Sequence, residues 1–412
     1  MVYRCKGLAR RLIGVGVGMV ALSYAILGTR VWIAEIAARE PAALSLERAV
    51  RLQPGNAEYH FRLAGLYLET DFNAAEREYQ LATALNPHRA RYWLGLARLQ
   101  LYSADGRRDG VALDHALRAE PTNPQVVWEA ANIYLASGDW QNAFAQFRFL
   151  AEHDRELGAQ AILLCWRATH NVTFMLSSIM PAQPYAYAVL LDRLLVEKNL
   201  QAAGELWARI RADGLEVPRK QTMDYLDCLI AAGELDRAQE VWNFLLSRDT
   251  SLKGRTEPRN LIVNGSFESP VANGGFDWRY SATALAQMEV DTAQPHGGSN
   301  ALRVRFADSH GSDTGLEQYV IVEPNTVYEF SSFVRTDDLY SPGGPQVAFE
   351  DARSHARMAA TSPLIGSSGW RELSLTFQTG IQTRLMLLRL VREDLGGIHG
   401  TLWIDDMSLR KK

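Results

Sequence analysis

Cysteine is nearly absent from this sequence: 412 residues hold three, Cys5, Cys165 and Cys228. Thiols so few and so scattered build neither a disulfide framework nor a zinc site. An excess of positive charge is missing too, since 43 Lys and Arg face 47 Asp and Glu. The resulting net charge of −4 leaves no electrostatic footprint for nucleic acid. Signatures of catalysis are also lacking: there is no Gly-x-Ser-x-Gly elbow, no His-Glu-x-x-His pair and no Walker loop. The histidines lie in separate contexts, and no spacing sets two carboxylates about a glycosidic bond. The chain is therefore read as non-enzymatic.

What is present is globular in composition, with 47% hydrophobic and 22% charged residues, which excludes a mainly disordered chain. The length allows two or three domains. Arg4, Lys6, Arg10 and Arg11 form a basic tail over residues 1–11, ahead of the uncharged run Leu12–Gly28. The apolar character resumes after Arg30 with Val31, Trp32 and Ile33, so residues 12–36 reach the roughly 20 that a bilayer core requires. Basic residues concentrated before the segment set its N-terminus in the cytoplasm and the bulk of the chain outside. A single-pass anchor in a bacterial inner membrane is expected, with the remainder in the periplasm; a cleaved signal peptide is the competing reading.

From residue 37 to 248 the pattern is helical and repeats. Pro54, Pro87 and Pro121 recur at intervals of 33 and 34, each closing an amphipathic stretch that a proline cannot continue. Leu63, Ala64, Tyr67, Ala75, Tyr79 and Ala82 before Pro87 alternate small and large residues, and Trp93, Leu96, Ala97 and Ala116 before Pro121 repeat the alternation. The run 231–242, with Gly233 at a turn and Ala238 at a helix crossing, is its clearest copy. This pattern resembles the tetratricopeptide repeat. Residues 157–184 break the period with Pro181 and Pro184, as a degenerate repeat or an inserted helix pair. The resemblance implies a solenoid whose groove holds a protein partner. Tyr59, Arg62, Arg91, Arg98 and Trp128 fall on first helices and are placed to line it; ordinary solvated faces and core packing are the alternative roles.

Residues 249–259 lose helical periodicity and read as a linker. Beyond them the period becomes two: Leu302, Val304 and Phe306 alternate with Arg303 and Arg305, and Leu373, Leu375 and Phe377 keep the same spacing. About nine short strands over 260–412 predict a β-sandwich. Five separated motifs carry a further resemblance: Asn260–Glu268 with Trp278, His296–Val304, Gln318–Tyr328, Gly369–Leu373 and Leu402–Leu409. Together they resemble the galactose-binding-like jelly roll of carbohydrate-binding modules of families four, nine and twenty-two. The fold expected for the whole is multidomain: an N-terminal transmembrane helix, an all-α tetratricopeptide-like solenoid and a C-terminal all-β jelly-roll sandwich.

The same resemblance implies one structural calcium ion. Glu268 and Asp405 or Asp406 would be its carboxylates, helped by Gly265 and Asn300, unless these acids only cap turns. It also implies polysaccharide binding by Trp278, Tyr280, Gln318, Phe333, Arg335 and Tyr340, for each of which packing is the competing role. Trp370 and Trp403 fall in motifs expected to be core. Three functions fit: a membrane-anchored scaffold in surface or exopolysaccharide assembly or export, an adaptor binding only proteins, and an accessory subunit of a carbohydrate-active enzyme.

Overall fold

The computed structural model describes residues 7–102, 110–252, 254–281 and 283–412. Arg4, Cys5 and Lys6 of the basic tail lie outside the described residues. The chain divides into two compact units, Met1–Leu190 and Leu191–Lys412.

The first unit is helical. Helix α1 (Gly7–Arg39) is long and apolar enough over Arg10–Arg39 to be a membrane span or a signal sequence. Its apolar side chains are exposed from Leu12 to Trp32, but its last turns are not. Ala34 and Ala38 pack against Leu46 and Ala49 of α2 (Ala43–Leu52) and Tyr59 and Leu63 of α3 (Ala57–Tyr67). Arg30 donates to the Leu52 carbonyl at 3.1 Å, so the C-terminus of α2 is capped from α1.

Helical hairpins follow: α3 with α4 (Phe72–Leu85), α5 (Ala90–Leu101) with α6 (Val111–Ala119), and α7 (Pro124–Ser137) with α8 (Trp140–His153). Asn56, Asp71, Asn123 and Asp139 cap α3, α4, α7 and α8, each accepting a backbone N–H of the first turn. The small residues that let helices cross, among them Ala64, Ala75, Ala82, Ala116 and Ala143, are fully buried. This succession of hairpins is consistent with a helical repeat. Where the period breaks, α9 (Arg155–Thr169) ends at His170 in a left-handed conformation with φ 45°. Asn171 then caps the short α10 (Val172–Phe174), which passes into a π-helical turn, Met175–Ile179, ahead of Pro181. Burial pushes the Cys165 thiol in α9 up to about 12, out of reach of ionisation at neutral pH.

The boundary between units falls inside α11 (Pro184–Val196), and the second unit continues with α12 (Leu200–Ala212), α13 (Arg219–Ala232) and α14 (Leu235–Arg248). Gly233 turns α13 into α14 at φ 78°, a conformation that glycine adopts without steric cost. Two residues of the expected linker are anchored. Leu252 is fully buried in a 3₁₀ turn, and the Arg255 guanidinium, almost wholly buried, pairs with the buried Asp277 carboxylate. Sequence periodicity misses this because one apolar and one charged residue do the anchoring.

Among the described residues, ten antiparallel strands make the sandwich. One sheet has the order β1 (Arg279–Tyr280), β4 (Asp313–Ile321), β9 (Leu385–Val391), β6 (Gln346–Asp351), β7 (Arg357–Ala360). The other runs β2 (Gln287–Asp291), β3 (Ala301–Ser309), β10 (Ile398–Lys411), β5 (Val327–Tyr340), β8 (Gly366–Gln378). Alternate residues of both sheets, including Val304, Phe330, Val334, Phe349, Leu388, Leu402 and Ile404, fill the space between them.

Candidate functional site

The six residues expected to meet a sugar are scattered. Trp278 is fully buried; its indole donates to the Asn264 carbonyl at 3.1 Å and its ring stacks on Phe267. A ring with no exposed face cannot stack on a ligand, so Trp278 is a core residue. Gln318 is also fully buried, and its amide brackets Val263, accepting from the backbone N–H at 3.1 Å and donating to the carbonyl at 2.8 Å. Tyr280 is half-buried on the edge strand β1. Phe333 and Arg335 share the outer face of the second sheet, where His296 stacks on Phe333 at 3.6 Å and Arg335 lies 4.7 Å over Trp403. Tyr340 is exposed at the end of β5, stacked on His399.

Trp370, expected in the core, instead is half-buried on the outer face, its indole donating to the Gln294 carbonyl at 3.3 Å. With Gln294, Arg335, Asp337 and Ser368 it lines an open depression. Trp403 is nearly buried, beneath Arg335, and donates to Asp291 at 2.7 Å.

A denser constellation lies on the outer face of the first sheet. In register across the strands stand Arg279 of β1, Glu317 of β4, Arg389 of β9 and Ala348 of β6. Arg389 forms ion pairs with Asp313, with Glu317 at 3.7 Å and with Glu350 at 3.6 Å. The Arg279 guanidinium lies 5.1 Å over the Tyr319 ring, whose pKa burial raises, with Glu317 adding to the effect. Gln346 and Glu350 point to this outer side yet are only 4% and 7% exposed, and the Arg357 and Arg389 guanidinium groups lie against Glu350. An aromatic face flanked by guanidinium, carboxylate and amide groups offers what a sugar needs: stacking for its C–H faces and partners for its hydroxyls.

Sequence reasoning missed this row, although the strand alternation contained it. Leu316, Gln318 and Val320 are buried in β4 while Glu317 and Tyr319 are not. Gln318 therefore lies on the face of β4 opposite to Glu317 and Tyr319.

The residues named for calcium form a clasp of N–H···O bonds. Glu268 accepts from the Ser299 and Asn300 backbone at 2.7 and 3.0 Å. Asp405 accepts from His296 and Gly297 with one oxygen and from Asp406 with the other, and burial lifts its pKa to about 6. Asp406 meets the His296 ring at 2.7 Å, the Gly265 carbonyl accepts from Met407, and the Asn300 amide donates to the Phe267 and Glu268 carbonyls. Among the described residues no three His, Cys, Asp or Glu side chains converge. Glu268 takes both N–H groups on one oxygen, Asp405 spends both of its oxygens on N–H groups, and Asp406 meets the imidazole with one.

In the helical repeat, Tyr59 is buried in the core below α1, so it lines no groove. Arg91 and Arg98 are exposed and bridge neighbouring hairpins through Glu58 at 2.9 Å and Glu129 at 2.8 Å. Arg62 is half-buried, and Trp128, also half-buried, packs edge-on against Phe147.

Residues 259–387 match the family model of a carbohydrate binding domain. Solved structures are similar over part of the chain. A CBM4 module is 16% identical, covering 37% of this chain and 99% of its own, with a TM-score of 0.29. The module TmCBM61, solved with β-1,4-galactotriose, is 19% identical over 38% of this chain and 100% of its own, with a TM-score of 0.26. A xylan-binding domain from Paenibacillus barcinonensis is 17% identical over 36% of this chain and 91% of its own, with a TM-score of 0.25. No curated protein matches the chain. Both the row and the clasp draw on residues inside 259–387 and on Arg389, Asp405 and Asp406 beyond them.

Proposed function

We propose that the protein is a membrane-anchored scaffold outside the cytoplasm, whose jelly roll binds a polysaccharide and whose tetratricopeptide-like repeats hold a protein partner. The observation that supports the glycan part is the row Arg279, Glu317 and Tyr319, inside the residues matched to a carbohydrate binding domain, completed by Arg389 just beyond them. The anchor part rests on α1, whose exposed apolar run follows basic residues and whose end is built into the helical core. A glycan binder tethered at a bacterial inner membrane meets polymer leaving the cell, so surface or exopolysaccharide assembly or export is the setting that joins the parts.

The test is binding of the full chain, in detergent, to a broad glycan array and by calorimetry. Tyr319→Ala and Arg389→Ala should each lose most of the binding, while Tyr340→Ala, at the far end of β5, should keep it. A blank array on folded protein would leave a protein-only adaptor. A reporter fused after residue 60 should be active in an assay that works only outside the cytoplasm.

A further inference from the structure

The row on the first sheet runs across its strands and reaches the sheet edge at β1, two residues long. At an open edge a polymer would pass over and continue. Here helix α13 stands at that edge. Asp227 of α13 takes both terminal nitrogens of Arg279, at 2.6 and 3.2 Å, and accepts the Gly275 backbone N–H at 2.8 Å. Since Arg279 lies over Tyr319, the carboxylate that holds it stands at the head of the sugar-facing row.

No sugar ring fits behind that pair. A Cβ at Gly274 would lie 2.8 Å from Met223, and one at Gly275 would lie 2.7 Å from Leu226 and 2.9 Å from Trp242. Gly275 also holds φ 60°, so close approach and backbone both require glycine there. Trp242 meets Phe276 edge-on at 6.2 Å, and Asp236 of α14 pairs with Arg384 at the start of β9. The opposite edge, β7, carries Arg357 with over a third of its side chain exposed.

We infer that the last helical hairpin blocks the β1 end of this row, so that the site takes the end of a glycan chain rather than its middle. The inference rests on the glycan-binding reading above. A terminal sugar carries a hydroxyl that an internal one has spent in its linkage. The paired Asp227 and Arg279 offer an acceptor and a donor for that hydroxyl, a charge-assisted arrangement. Asp227 thereby positions Arg279.

The experiment uses the full chain in detergent, with xylan, β-1,4-galactan and laminarin and their short oligosaccharides as probes. Limited hydrolysis multiplies chain ends at constant polymer mass. Binding per unit mass of the polymer that binds should rise in step with the ends, by mass action. Asp227→Ala should weaken the matching oligosaccharide about tenfold, the worth of a charge-assisted hydrogen bond, with Asp227→Glu partly restoring it. Binding that follows polymer mass and ignores hydrolysis would overturn the chain-end inference and leave glycan binding standing. Failure of every probe would remove both.

Discussion

Arg389 approaches Glu350 to 3.6 Å from the neighbouring strand, and Glu350 is nearly buried although it points away from the sandwich core. Asp313 and Glu317 hold the same guanidinium from β4. Arg389→Ala leaves three carboxylates facing each other, and Glu350 keeps only Arg357, at 3.3 Å. The expected cost is about 1–3 kcal/mol, moderated because Arg389 retains some contact with water. Arg389→Lys should recover part of the stability but little of the binding, because an ammonium lacks the planar fork that meets several oxygens. Thermal unfolding and calorimetry on the same samples would separate the two effects.

Ala38 and Leu46 lie in one core, so α1 is at once the apolar segment and the lid of the first helical hairpin. Removal of α1 as a cleaved signal would uncover Leu46, Ala49, Tyr59 and Leu63. A chain beginning at residue 40 should therefore be less stable than one beginning at residue 30, by roughly 1–3 kcal/mol from re-exposed apolar surface. The mature protein should carry its N-terminus in the membrane fraction, which intact mass measurement reads directly. Equal melting of the two chains would detach the anchor from the core.

Much of this architecture was legible, for reasons that differ between its parts. Prolines at 54, 87 and 121 and buried alanines at crossings repeat at a period that local sequence displays. Strand alternation likewise marked β3, β5 and β8. The row was not legible, because its residues come from β1, β4, β6 and β9, whose pairing order is set by topology rather than spacing. Trp278 shows the other limit. Its aromatic ring suits a sugar or a core equally, and only its placement between Phe267 and the Asn264 carbonyl decides for the core. Asp227 lies dozens of residues before the sandwich, so no reading of the sandwich alone reaches it.

Ala238 is fully buried where α14 packs on its neighbours, and Gly233 turns the chain at φ 78° five residues before it. Ala238→Leu should cost about 1–3 kcal/mol through overpacking. Gly233→Val should cost roughly 1–2 kcal/mol through its left-handed backbone. Because this hairpin also carries Asp227 and Trp242, both changes should weaken glycan binding beyond their effect on melting. An unmoved melting curve for Ala238→Leu would show that the crossing lies elsewhere.

The pair Arg255 and Asp277 ties the chain entering the sandwich to the loop before β1. Both side chains are almost completely buried, and Asp277 also accepts the Ala272 and Trp278 backbone N–H groups at 2.9 and 2.8 Å. Breaking such a pair strands one charge in a poor solvent, so Arg255→Met should cost about 3–5 kcal/mol. The double change Arg255→Met with Asp277→Leu should cost clearly less than the sum of the two single changes, as a double-mutant cycle would read. Burial raises the Asp277 pKa above the ordinary carboxylate value even beside Arg255, and removing the guanidinium takes away a group that lowers it. A carboxyl whose folded pKa is raised adds stability below its unfolded pKa and loses it as pH rises through the folded one. The deficit of Arg255→Met should therefore shrink on acidification from neutral pH toward the ordinary carboxylate range. Denaturant titrations of both proteins across that window give the comparison, and a deficit that grows with acid would mean that Asp277 stays ionised without its partner.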